Sequence, residues 1–570
     1  MGWPYEFIDL TEAEKEARRH KLDHYGLVAQ LSALAPVVLF LLYRLASWQM
    51  TKVTGSSRGT YAAVPGSPTL KRERSSLLGS MSASARKIFW WLGDDVVFLG
   101  RNWGQRDQII GGVAWTIWLL FLCVVDTGND YFHVTKRFGI VGVSQFPVQY
   151  LLSLKRLNPF AWALRSSHEE VNRWHRVLGR VIVVLLTLHA AFYVNYYYQK
   201  NLLSQKVTSL VPVLGFVQIA ALYLLNGTSF SVIRKYSYRL FFITHIVALL
   251  ALPPLIYFHA HHAAFYVWES LLVILLDIGV RRFDTIIADT KVEFIPGTDL
   301  IKVVGSIPAN RIGRFTKSPG THVYVSIPAA SRPNQNLIAP ANLVFEVSFN
   351  PFSVASADES SGEITLVARR RRGPMTRALS HFAGNTTGTS STVKLAFDGP
   401  YGSAKRFPNL AGPEFDRILL VAGGVGATFL LPIYHWMLSE NATTHVQMVW
   451  AVRNAGDVSW PGVKSVIDDE SIQLFITGGD DERSSSSSED VALSDLSPNQ
   501  RPGGHSLPSN GNRRPDLQQI VDDTFRRGGE ERVAVLVCGP ESMTRELRSH
   551  VGIWVNRGRY VWWHSESFAW

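Results

Sequence analysis

The sequence predicts a bundle of membrane-spanning helices followed by a small antiparallel β-barrel and then a parallel α/β sheet. Three observations predict it. The first half of the chain holds seven apolar runs of bilayer length, the density of Lys and Arg alternates from one connecting loop to the next, and near Lys291 the pattern changes to short strands and glycine turns. Composition agrees: the 570 residues are 46% hydrophobic and only 18% charged, too apolar for an ordinary soluble chain. Cys123 and Cys538 stand in unrelated contexts, which excludes a disulfide scaffold or a thiolate zinc site.

Residues 1–26 are charged and have no apolar core of signal-peptide type, so they are read as a mature tail outside the membrane. The spans fall near 27–48, 109–126, 138–155, 174–198, 209–225, 238–258 and 265–280. Polar Ser144, Gln145 and Gln149 interrupt the third, for which an interfacial helix is the alternative. Basic residues crowd the first loop (Arg72, Arg74, Arg86, Lys87), the third (Lys155, Arg156, Arg165, Arg173), the fifth (Arg234, Lys235, Arg239) and the segment after the last span (Arg281, Arg282). By the positive-inside rule Met1 is outside and everything after Arg281 is cytosolic, which suits an odd number of spans and a multi-pass membrane protein. The net charge of +11 sits largely in these inner loops, where it meets anionic lipid, and calls for no nucleic acid. The sequons at Asn226, Asn385 and Asn441 then face the cytosol and should carry no glycan. A glycosidase-sensitive mass shift mapped to any of them would invert the topology.

Within this bundle the stretch "HRVLGRVIVVLLTLH" places His175 and His189 fourteen residues apart, and "THIVALLALPPLIYFH" repeats that spacing with His245 and His259. On an ideal helix two such residues lie within roughly 40° of each other and about 21 Å apart along the axis. Imidazole inside a bilayer is costly and faces the protein interior. Two parallel helices with the same phase and spacing can hold two metals stacked across the membrane, and neutral imidazole suits haem iron from both axial sides. Parallel direction pairs His175 with His245 near the cytosol and His189 with His259 near the outside. Pro253 and Pro254 are expected to kink the second helix. His261 and His262 point away from that face, as spare imidazoles at the outer edge.

From Lys291 to Gly399, runs such as "HVYVSIP" and "NLVFEVSF" suggest the barrel. From Phe415, "RILLVAGGVGATFLLPIYHWML" is a buried strand, a turn with Gly423, Gly424 and Gly426, and a helix, the arrangement that brings backbone close to a pyrophosphate. The strands "HVQMVWAVR" and "RVAVLVCGP" extend the sheet, and residues 480–514, rich in Ser, Pro, Gly and Asn, read as a disordered insertion.

These residues together resemble the fungal ferric-chelate reductases, relatives of the superoxide-making NADPH oxidases. The matching stretches are "HRVLGR" with His189, "FFITH" with His259, "PGTHVYVSIP", "NPFSVAS", "GPMTRAL", "DGPYG", "VAGGVGAT", "VWAVR", "VCGP" and "HSESFAW". The resemblance implies a transmembrane domain with two stacked bis-histidine haems b over 27–282, an FAD-binding barrel over 283–410 and an NADPH-binding α/β domain over 411–570. It also implies site residues. His322 and Asn350 to Val354 (Asn350, Pro351, Phe352, Ser353, Val354) would lie along the flavin, with Ser353 bonding its ring. Arg372, Gly373 and Thr376 would receive the FAD pyrophosphate. Gly423, Gly424, Val425, Gly426, Ala427 and Thr428 would hold the NADPH phosphates, Arg453 the extra phosphate, and Cys538, Gly539 and Pro540 the nicotinamide side. Trp570 takes the place of the terminal aromatic over the flavin. The family often has His-Pro-Phe-Thr where this chain has Asn350-Pro351-Phe352-Ser353; an amide donates and accepts as neutral imidazole does. The implied activity is electron transfer from cytosolic NADPH to extracellular ferric or cupric chelates for iron uptake. The alternatives are an oxidase that makes superoxide and a haem-binding membrane protein without turnover. No iron permease partner can be named from the sequence.

Overall fold

The computed structural model describes all residues except 1–3, 56–76, 333–349, 372, 385–391, 403, 441–443, 459–468, 479–513, 527–530 and 568–570. The insertion expected at 480–514 and the strand expected at "NLVFEVSF" therefore lie outside the described residues, apart from Arg514. The chain divides into two units, one formed by 1–59 and 91–283, the other by 60–90 and 284–569.

The first unit is helical. Among the described residues five helices are long and apolar enough to cross a membrane: Arg106–Val124, His168–Gln199, Leu210–Thr228, Tyr238–His259 and His261–Asp284, the last beginning as a short 3-10 turn. The first expected span differs. Helix Glu12–Ser32 runs straight through the boundary expected at 26/27, is capped by Thr11 and Glu14, and meets Ala35–Gly55 at a 41° bend. Capping groups at Thr11 start this helix fifteen residues before the apolar run begins, so the tail is folded helix. The third expected span is two helices, Tyr131–Ser144 and Phe146–Ser153, because Gln145 and Pro147 start a new one. These two pack inside the bundle, with Thr135, Arg137, Ser144 and Gln145 fully covered, which is why the polar residues that spoil a lipid-facing span are tolerated there.

The expected kink at Pro253 and Pro254 does not interrupt Tyr238–His259, which stays one helix. Pro253 has no N–H for the Leu249 carbonyl, and the Tyr150 hydroxyl donates to that oxygen instead, at 3.2 Å. Gln218 donates to the Leu255 carbonyl at 2.8 Å. Asp277, 2% exposed in the last span, accepts from the backbone N–H groups of Arg156 and Leu157 at 2.9 and 2.8 Å and so fixes the 154–158 turn.

The unit also carries a small hairpin, β1 (Asp95–Phe98) with β2 (Arg101–Gln105). In the second unit, β3 (Ile286–Phe294), β4 (Leu300–Ser306), β5 (His322–Ser326), β6 (Asn350–Asp358), β7 (Glu363–Arg369) and β8 (Val393–Tyr401) close an antiparallel barrel in the order β3-β4-β7-β6-β5-β8. Its strands alternate, so Val292, Ile301, Val303, Val323, Val325, Leu366 and Leu395 fill the interior. A parallel sheet follows in the order β11-β10-β9-β12-β13, built from β9 (Arg417–Gly423), β10 (His445–Val452), β11 (Ile472–Ile476), β12 (Val533–Cys538) and β13 (Val561–Glu566). Barrel residues Leu300, Ala355 and Val367 share one apolar cluster with Leu420, Phe429 and Ile433 from the sheet and its first helix. The helix Leu77–Leu92 of the first loop lays Trp90 against Trp563, ring centres 5.7 Å apart, under the Arg548 guanidinium at 4.3 Å.

Candidate functional site

In the helical unit Ser167 and Ser237 cap the two histidine-bearing helices, and each helix then carries its two imidazoles on one face. The structure brings His175 to His245, ring centres 6.1 Å apart, and His189 to His259, 6.4 Å apart. The ring edges are held by backbone. Nδ1 of His175 donates to the Gln149 carbonyl at 2.9 Å, Nδ1 of His189 to that of Thr135 at 2.8 Å, and Nδ1 of His259 to that of Val211 at 2.8 Å. Each bond fixes the tautomer that leaves a lone pair on Nε2, the arrangement found behind metal-bound histidines. Nδ1 of His245 is buried with no hydrogen-bond partner among the described residues. Room for the rings comes from glycine: a Cβ on Gly139 would lie 2.7 Å from Nδ1 of His189, and one on Gly215 would lie 2.8 Å from the His259 ring. Two metal–imidazole bonds of about 2 Å each, with the two half-rings beyond them, span about 6 Å. The pairs therefore fit an iron held between imidazoles. The Gln149 side-chain amide sits 3.3 Å from Nε2 of His175 and must turn aside for that ring to bind iron. Thr135, Gly139, Gln149, Val211 and Gly215 escape sequence reasoning because a carbonyl and an absent Cβ carry no motif.

In the second unit β5 and β6 align His322 with Ser353 and Tyr324 with Pro351. His322 and Ser353 are buried at 5% and 6% exposure, and the Tyr401 ring of "DGPYG" stands 6.2 Å from that of His322. Asn350, Pro351 and Phe352 are half-buried along the same strand and Val354 is buried. Gly373 and Thr376 lie at the start of helix Pro374–Gly384, where the Thr376 hydroxyl donates to the Arg371 carbonyl at 2.7 Å. Arg372 is outside the described residues, but Arg370, Arg371, Arg377 and Ser380 line an open depression there with Asp299. This cationic lining suits a pyrophosphate.

Gly423 to Thr428 and Cys538 to Pro540 follow the adjacent strands β9 and β12, where the strand order reverses, the usual crevice for a nucleotide. The two turns touch. A Cβ on Gly423 would lie 2.6 Å from Pro540, and one on Gly426 would lie 2.1 Å from the Cys538 carbonyl. Gly424 has φ +55, a conformation glycine adopts freely, and its carbonyl accepts from Trp450 Nε1 at 3.0 Å. Val425 precedes helix Ala427–Ser439, whose N-terminus has no side-chain cap, as an anion site requires, while the Ala427 N–H turns back onto the Gly424 and Val425 carbonyls. Cys538 is 1% exposed, and burial, with Glu566 nearby, pushes its thiol up. It is a neutral group placed by packing, with no thiolate to react. Arg369, 3.0 Å from Asp457, points toward Gly424, a cation at the phosphate turn that sequence reasoning passed over inside the "ARRRR" run. Trp570 is outside the described residues. Arg453 is exposed just past β10, and its carbonyl accepts from Gly478 at 2.8 Å. Arg453→Ala is expected to narrow the preference for NADPH over NADH about tenfold in kcat/KM; unchanged selectivity would move the phosphate site to another residue.

Residues 138–256 match the family described as the ferric reductase like transmembrane component, 286–405 the FAD-binding domain, and 415–552 the ferric reductase NAD binding domain. The chain has the three-domain make-up of the ferric reductases. Similar proteins include ferric/cupric reductase transmembrane component 2 of Schizosaccharomyces pombe, 24% identical over 482 residues, covering 76% of this chain and 80% of the relative. Ferric reductase transmembrane component 1 of the same yeast is 25% identical over 464 residues, covering 75% and 78%. Among solved structures a flavohemoglobin from Malassezia yamatoensis is 13% identical, with a TM-score of 0.34 over 75% of this chain and 95% of that one. The chain is an oxidoreductase with FAD- and NAD-binding domains and a transmembrane component.

Proposed function

We propose that the chain is a metalloreductase of the plasma membrane that takes electrons from cytosolic NADPH and delivers them singly to extracellular ferric or cupric chelates. The observation that carries this reading is the pair of facing histidine sets at two depths of the bundle, 6.1 and 6.4 Å between ring centres. FAD, when bound, would supply the exchange between hydride and single-electron transfer, and two haems b would supply redox centres at the two depths. His175, His245, His189 and His259 would be the axial ligands, with Thr135, Val211 and Gln149 setting the ring orientation. Ser353 and His322 would line the flavin, Arg371 and Arg377 would neutralise its pyrophosphate, and Gly423 to Thr428 would present N–H groups to the dinucleotide phosphates.

One observation favours the second reading, reduction of oxygen to superoxide. Residues 5–32 fold against the bundle: Phe7 packs between Tyr131 and Tyr196 at 4.8 and 5.1 Å, and the Glu6 backbone pairs with Asn129 and Tyr131. A cover of this kind would hinder a bulky chelate more than oxygen. The deciding measurement uses sealed vesicles with NADPH on the side of the nucleotide domain. Ferric chelate at saturation should be reduced at least about tenfold faster than superoxide appears. The converse ratio makes the oxidase reading the better one.

A further inference from the structure

The end of β7 sends its arginines to two different places. Residues two apart share a strand face, so Arg369 follows Val367, which packs into the apolar cluster shared with Leu420 and Phe429 of the nucleotide sheet and its first helix. Arg370 turns the other way and pairs with Asp299 at 3.1 Å, both side chains more than half exposed. Arg369 reaches the sheet: its Nη2 donates to Asp457 Oδ2 at 3.0 Å, and Asp457, in the 3-10 turn Ala455–Val458 just past β10, is 7% exposed. That turn is seated on the barrel. A Cβ on Gly456 would lie 3.0 Å from the Thr298 methyl in the connection between β3 and β4.

The same Nη2 stands 4.0 Å from the position a Cβ on Gly424 would take, at the glycine turn after β9. Nε of Arg369 is buried with no hydrogen-bond partner among the described residues. A guanidinium carries five N–H donors in a planar fork, and Asp457 engages only part of it. A buried donor without an acceptor is costly, whereas phosphate oxygens can take two donors of the fork at once.

We propose that Arg369 is a coenzyme-responsive tie between barrel and nucleotide sheet: it holds the Ala455–Val458 turn through Asp457, and a dinucleotide pyrophosphate arriving at the glycine turn competes with Asp457 for the same guanidinium. The ligand class is a dinucleotide with or without an extra phosphate, because the contact is to the part that NADPH and NADH share. Asp457 then holds coenzyme affinity down.

The proposal rests on the placement of the dinucleotide phosphates at Gly423 to Thr428 and is independent of the electron acceptor. Its test is the Kd of NADP+ and of NAD+, measured by titration calorimetry on the detergent-solubilised full-length holoprotein. Arg369→Gln is expected to raise both Kd values about tenfold, and Arg369→Lys to recover part of the loss. Asp457→Asn is expected to lower both about threefold, and to lower neither in the Arg369→Gln background, since its effect runs through the guanidinium. A purely structural ion pair gives the opposite sign, with Asp457→Asn weakening binding as Arg369→Gln does, and that result overturns the proposal. So does tightening by Asp457→Asn that persists without Arg369, the mark of bare charge repulsion. Gly426→Ala separates the proposal from the reading beneath it. Kd values raised by Gly426→Ala but unmoved by Arg369→Gln overturn the tie alone, and Kd values unmoved by both also remove the phosphates from this turn.

Discussion

His189→Leu is expected to stop electron delivery across the membrane while NADPH still bleaches the flavin. His189 faces His259 at 6.4 Å between ring centres, its Nδ1 is tied to the Thr135 carbonyl at 2.8 Å, and Gly139 leaves it the space it fills. Leucine keeps much of the bulk without a lone pair, so one of the proposed iron ligands is removed while the helix packing is kept. Loss of an outer-sphere partner alone typically costs 10–100-fold in metal affinity, so loss of the ligand should cost more than about 100-fold in transmembrane rate. The checks are haem per flavin, expected to fall from two to one, and external chelate reduction, expected to vanish. A variant that keeps two haems with unaltered spectra would remove His189 from the ligand set. Gly139→Val gives a second route to the same end, because a side chain there meets the His189 ring at 2.7 Å and must turn it.

Gly426→Ala should fail at the other end of the path. Its φ of −59 is open to any residue, so only space demands glycine here. The added Cβ would lie 2.1 Å from the Cys538 carbonyl and 3.2 Å from its sulfur. Backbone cannot yield as a side chain does, so the turns after β9 and β12 must separate. Overpacking of this kind costs about 1–3 kcal/mol, and the displaced N–H groups lose the dinucleotide phosphates. The expected outcome is a rise of at least about tenfold in KM for NADPH and a lower melting temperature of the nucleotide unit. Dithionite should still reduce the haems fully. Unchanged KM would show that these turns do not hold the coenzyme.

Much of this was legible because it is local. A spacing of fourteen puts His175 with His189 and His245 with His259 on single helix faces by helix geometry alone, and the alternation of "HVYVSIP" and the glycines of "VAGGVGAT" announce barrel and nucleotide turn within a few residues. The broken third span was half legible. Ser144, Gln145 and Gln149 signalled discomfort in lipid, and burial inside the bundle resolved it, since a polar side chain costs little once protein surrounds it. The folded tail was legible only at its Thr11 cap: packing of Phe7 on Tyr131 and Tyr196 joins residues more than a hundred positions apart.

The sequence by itself determined which residue types face which side of each helix and strand, because periodicity depends only on backbone geometry. The tertiary structure decided what meets them: the Thr135 and Val211 carbonyls behind His189 and His259, the Tyr150 hydroxyl on the carbonyl that Pro253 leaves free, and the Cys538 backbone pressed on Gly426. Each of these contacts has a backbone atom on one side, and the backbone is a feature every sequence possesses in the same form. Only the close approach of distant segments gives them a role.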